Sequence, residues 1–126
     1  MKKNVCIITT SAMLFFGGAA IAGERLDNEA LKAFYTDRTT IAENHKYGSV
    51  KTYFSADGTI TSIGSDSKRV GKWWIDGNKR CVQWNNKNKA FCHYTEKNED
   101  GTHTLVHFKN GKRLVEIKDN PEGNQL

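Results

Sequence analysis

The side chains best suited to chemistry are three histidines, two cysteines and a basic cluster around three tryptophans. His93, His103 and His107 would suit zinc or copper if they were brought together. His103 and His107 stand at i and i+4 with Leu105 between them. On a helix that spacing serves one ion, but on a strand it separates the residues by about 13 Å. With strand-like sequence around them, no metal site is expected, and His93 on the preceding strand is the remaining neighbour. Lys68, Arg69, Lys72, Lys79 and Arg80 surround Trp73, Trp74 and Trp84. Cations among indoles can stack bases or meet anionic lipid, cell-wall polymer or an acidic protein, or form a solvated face without a partner. Trp73, Trp74, Trp84, Lys72 and Arg80 are therefore the candidate ligand-binding residues. No G-x-S-x-G, paired-carboxylate or Cys-His nucleophile pattern occurs, so no catalytic residue is nominated and no cofactor is expected.

What the cysteines do depends on the compartment. Met1-Lys2-Lys3-Asn4 is a short positive segment, followed by an apolar run from Val5 to Ala22 that ends in Ala20-Ile21-Ala22. This is the pattern of a cleaved export signal over residues 1–22. The alternative is a retained anchor, against which Thr9, Thr10, Ser11 and two glycines interrupt the run. After cleavage no stable membrane span is expected, and the location is the periplasm or outside the cell. Cys6 would leave with the leader, so Cys81 and Cys92 would meet an oxidising environment, where pairing is the simplest outcome. Two free thiols are the alternative. A zinc pair lacks a second C-x-x-C or H-x-x-x-H partner. The net charge of +5 falls to +3 without Lys2 and Lys3, which suits a mildly basic domain and not a nucleic-acid binder.

The elements that must position these groups are mostly extended. Asp27 reads as a helix cap, with Ala30, Leu31, Phe34 and Tyr35 on one stripe and Leu26 and Leu31 forming a staple, giving a helix over 27–36. Strand-like runs then fill 39–118: Thr39–Glu43, Tyr47–Phe54, Thr59–Ile63, Val70–Ile75, Arg80–Trp84, Ala90–Thr95, Thr102–Phe108 and Lys112–Lys118. Asp57-Gly58, Asp76-Gly77, Asp100-Gly101 and Asn110-Gly111 punctuate them as hairpin turns. Connections this short exclude parallel crossovers. The expected fold is thus all-β, an antiparallel meander of about eight strands closed or half-closed into a small barrel. The helix would plug one end or lie across an opening. One domain over 23–119 is expected, with a polar tail at 120–126. The recurring acid-Gly pairs are too unevenly spaced for a repeat solenoid.

Centring the hairpin of the 80s on Asn86-Lys87 sets Cys81 directly opposite Cys92, and Val82 opposite Phe91. Directly opposed residues bring Cβ atoms within about 4.5–5.5 Å, near disulfide range. Closing a loop of about 12 residues would stabilise the fold by roughly 3 kcal/mol, a structural role and not a redox one. Adjacent tryptophans on a strand face opposite ways, so one of Trp73 and Trp74 enters the core and the other points out. Helix cover is the simplest account of the outward one.

The ordered pieces resemble a known family. They are Leu31-x-x-Phe34, the strand starting at Thr39, Y-F-S-A-D-G-T at 53–59, Gly71-x-Trp73-x-Ile75, Cys81-Val82-x-Trp84, and then Cys92. Together, over Leu26 to about Phe108, they resemble small exported proteobacterial domains of unknown function. The G-x-W element and the meander are similar at fold level to lipocalin-like and avidin-like β-barrels. The resemblance implies a barrel-like exported domain and carries no activity. The expected function is a non-catalytic binding module for a small apolar or amphipathic molecule near the tryptophans. Two other readings stand beside it: a protein-binding module, such as an inhibitor of an exported hydrolase, and an enzyme of unrecognised type. The partner is then an unknown small ligand or an exported protein.

Overall fold

A computed structural model describes residues 23–44 and 48–126. The expected leader at 1–22 lies outside the described residues, as does Tyr47 at the start of one expected strand. The chain runs β1 (Glu24–Arg25), α1 (Asn28–Tyr35), β2 (Arg38–Asn44), β3 (Gly48–Phe54), β4 (Thr59–Ile63), β5 (Lys68–Asp76), β6 (Lys79–Trp84), β7 (Phe91–Lys97), β8 (His103–His107) and β9 (Arg113–Asp119). Each strand from β2 to β9 pairs antiparallel with the next, and β9 returns to pair with β2. The meander therefore closes into an eight-stranded barrel. Closure leaves no bare edge along the circuit, the outcome that short turns and alternating strands favour. Among the described residues no helix is long and apolar enough to cross a membrane.

The strand that sequence reading missed is β1. Its two residues pair with Glu96 and Lys97 of β7, beyond the three-residue stretch in which β7 pairs with β6. Two residues carry no periodicity, so no pattern could announce them. Side chains fasten β1 in place, with Arg25 bonded to Glu96 at 3.4 Å and its guanidinium lying 3.8 Å from the centre of the Tyr94 ring.

Helix α1 begins where Asp27 Oδ1 accepts the Ala30 N–H at 2.9 Å. Eight residues cannot hold a helix in water by themselves, so its apolar stripe needs a partner. It finds one inside the barrel. Leu31 and Tyr35 are fully buried among Phe54, Ile60, Trp73 and Val82, with Leu26 packed alongside. The helix is thus a plug for one end. Tyr35 is fixed at depth by its hydroxyl, 2.8 Å from Thr95 Oγ1, and its ring lies 4.6 Å from that of Phe54. Burial raises the Tyr35 pKa above its ordinary value, outweighing the opposing pull of the Arg80 charge.

The tryptophan pair separates as a strand requires. Trp73 points in, and its indole N–H donates to the Ser55 carbonyl at 2.8 Å. Trp74 points out and stays 39 % exposed. Helix cover therefore falls on Trp73, not on the outward indole as expected, because the plug enters the barrel instead of lying across its wall. Gly71 makes the nearby wall possible. A Cβ there would collide with the Gln83 carbonyl oxygen and the Trp84 backbone, so this close approach of β5 and β6 needs glycine. At the β5–β6 turn, Gly77 supplies the positive φ of 63° that a two-residue hairpin loop uses.

The expected register of the sulfur bridge is found. Cys81 faces Cys92, Val82 faces Phe91, and the two cysteines form a disulfide with Cα atoms 4.0 Å apart. Residues 120–126 are held against the start of β2. Thr39 Oγ1 donates to the Gly123 carbonyl at 2.7 Å and accepts the Gln125 N–H at 3.0 Å, while Arg38 donates to the Asn120 carbonyl.

Candidate ligand-binding cavity

Inside the wall, above the aromatic plug, lies a cavity of about 380 Å³. The period of two along each strand builds its lining. Ala42, Val50, Val82, Leu105, Val115 and Ile117 supply most of the apolar wall. Thr52 and Ser62, opposed on β3 and β4, share a hydrogen bond of 3.0 Å between their hydroxyls. Trp84, Phe91 and Lys87 stand where β6 ends and β7 begins, at the end opposite the helix, and they mark the opening. Phe91 is 47 % exposed there, a large apolar ring at a mouth.

Cations define the polarity of this space. Arg69 lies over the Trp84 ring at 4.1 Å, a cation–π contact that holds both at the rim. Arg80 sits deeper and is only 8 % exposed. Its guanidinium carbon lies 5.4 Å from the Tyr35 ring centre and 5.6 Å from that of Phe54, so it rests on the plug. Its Nη2 makes a long 3.5 Å contact with His93 Nδ1, and its Nε finds no hydrogen-bond partner among the described residues. Burial lowers the Arg80 pKa below its ordinary value, with the Tyr35 side chain opposing the shift. An arginine still keeps its proton under any ordinary condition. Arg69, Arg80 and Lys87 line the cavity, and no Asp or Glu does so among the described residues.

Arg80, His93 and His107 are consecutive partners across β6, β7 and β8, which places them in a row along one wall. The two imidazole rings are 6.2 Å apart. His103 is elsewhere, against Phe34 of the helix at 4.3 Å. Among the described residues no group of three or more His, Cys, Asp or Glu side chains is placed to hold a metal ion. Burial, then the Arg80 charge, then His107 push the His93 pKa down from 6.5 to about 4. Neutral His93 can accept at Nδ1 from Arg80, which puts its proton on Nε2.

This shift has a thermodynamic consequence. The unfolded chain takes up a proton at His93 near pH 6.5, whereas the folded protein resists it until about pH 4. Between those values the unfolded state binds more protons, so stability is full above the window and declines as pH falls through it. His103 is shifted in the same direction, by burial and then by Lys97. Melting temperatures should accordingly fall on acidification from pH 6.5 towards pH 4, and His93→Gln should flatten the decline. Superimposable pH profiles for the two proteins would place the responsible proton elsewhere.

Of the five residues nominated for ligand binding, Trp84 and Arg80 line the cavity. Trp73 packs beneath it in the plugged core, while Trp74 and Lys72 face outward. Sequence reasoning placed Arg69 in the basic cluster without nominating it, and passed over Lys87, Phe91 and the apolar wall. The available signal was alternation: Arg80, Val82 and Trp84 share one face of β6, so an arginine in phase with inward residues must itself turn inward. No protein-family model, characterised protein or solved structure matches this chain.

Proposed function

We propose that the chain is an exported, non-catalytic binding module that holds a small apolar or amphipathic molecule inside its barrel. The observation that carries this reading is the cavity of about 380 Å³, walled by aliphatic side chains and opening beside Trp84 and Phe91. Ligand pockets commonly occupy roughly 300–1,000 Å³, are mainly apolar and carry a few convergent polar groups, often in the mouths of barrels. The likeness to lipocalin-like and avidin-like barrels belongs to the same proposal. So does export, with which a disulfide between Cys81 and Cys92 is compatible.

A neutral fluorescent probe, N-phenyl-1-naphthylamine, tests it. Titration should be saturable at one site, with the probe quenching tryptophan emission through Trp84. Val50→Phe, which places a ring in the apolar wall, should abolish the signal while leaving the melting temperature close to that of the parent. Unsaturable uptake, or undiminished binding by Val50→Phe, would remove the barrel interior as the site.

A further inference from the structure

We infer that the molecule held in the barrel is an organic anion with an apolar body, its acid group bound by the Arg80 guanidinium. This rests on the cavity being the binding site and adds the class of ligand.

The charge distribution supports it. Arg80 is more than nine-tenths buried and lines the cavity, and Nε has no partner among the described residues. Its neighbours do not neutralise it. His93 offers one nitrogen at 3.5 Å, Tyr35 offers its neutral hydroxyl and ring face, and Phe54 offers a ring face 5.6 Å away, so no formal negative charge meets the guanidinium. A charge taken from water without an opposite charge is expensive to bury, so such groups are normally paired. Every formal charge on the lining is positive among the described residues, since Arg69 and Lys87 stand nearer the opening. Cations at the rim draw an anion inward, and the deeper guanidinium offers it paired donors in the fork geometry suited to carboxylate or phosphate.

The remaining wall sets the rest of the ligand. Leu105, Val115, Ile117 and Val82 give no hydrogen bonds from their side chains, while Thr40, Asn44, Thr52 and Ser62 add polar points among them, so the body beyond the acid group is mainly hydrocarbon. A cation such as choline would meet three like charges, and a neutral sugar would leave the buried guanidinium without a counter-charge. His93 remains neutral above about pH 4 and can accept from Arg80, which keeps the guanidinium oriented without competing for its charge.

The experiment compares decanoate with decanol, equal in chain and different in charge, by calorimetry on the purified protein. The parent should bind decanoate at least 10-fold more tightly, since hydrogen bonds to a charged group carry roughly 10–100-fold in affinity. Arg80→Met keeps an unbranched stem and removes the guanidinium, and it should erase that preference by weakening decanoate. Arg80→Lys should keep part of it. Equal affinities in the parent, or a preference that survives in Arg80→Met, would overturn the anion assignment yet leave the cavity reading intact. Binding of neither compound would overturn both. If Arg80→Met fails to fold, the parent still decides: decanoate should shift the Arg80 Nε–H resonance and decanol should not, and an unmoved resonance at saturating decanoate refutes the assignment.

Discussion

Phe54→Ala is expected to destabilise the protein by roughly 3–5 kcal/mol, the usual range for emptying a fully buried aromatic site. Phe54 has no exposed surface, and its ring lies 4.6 Å from Tyr35 and 5.4 Å from Trp73. It therefore joins three parts of the fold: the helix, the β3–β4 hairpin and the inward indole. The void could not collapse easily, because Tyr35 is tied to Thr95 and Trp73 to the Ser55 carbonyl. Against a typical total of about 5–15 kcal/mol, the loss would put a small barrel near the edge of folding. Urea unfolding followed by tryptophan emission should show the midpoint fall with little change in slope, and Phe54→Leu should lose less than half as much. A midpoint shift under 1 kcal/mol equivalent for Phe54→Ala, on the order of a surface substitution, would mean that the plug does not bear on the core as described.

The second large effect belongs to the disulfide. Its removal, by Cys81→Ser with Cys92→Ser, should lower stability by roughly 3 kcal/mol through the greater freedom of the unfolded chain. For a domain of this size that corresponds to a fall in Tm of about 10–20 °C. The position of the bond adds a structural reason. β6 and β7 share three residue pairs, Arg80–His93, Cys81–Cys92 and Val82–Phe91, against seven between β2 and β3. The covalent link thus lies in one of the shortest seams of the circuit. Calorimetry with and without reductant measures it; an unchanged melting temperature after complete reduction, checked by mass spectrometry, contradicts a structural role.

Turn chemistry and alternation carried most of the architecture. Glycine after an acid or asparagine marks hairpin tips, short loops forbid parallel crossovers, and the eight barrel strands fall within a few residues of their expected limits. The Cys81–Cys92 register was legible because one polar tetrapeptide, Asn85 to Asn88, fixes the centre of symmetry of its hairpin. The cavity was less legible. Gly71 and Ile75 flank Trp73 on its own face, so the local pattern does not say which indole turns inward. Arg80 belongs to a basic cluster in sequence, yet the barrel sends it inside and leaves Lys72 outside, a division that depends on phase along each strand and not on charge. Closure itself comes from β9 meeting β2, a pairing between the two ends of the meander that no local signal encodes.

The arrangement of the two chain ends governs how the domain can be tethered. Gly23 and the first strand sit beside Glu96 and Asn98, while residues 123–125 fold back on Thr39, so both ends of the described chain emerge on the plugged side. A surface, a dye or a fused neighbour joined at Gly23 or at Leu126 is therefore held on the plugged side, away from the opening beside Trp84 and Phe91.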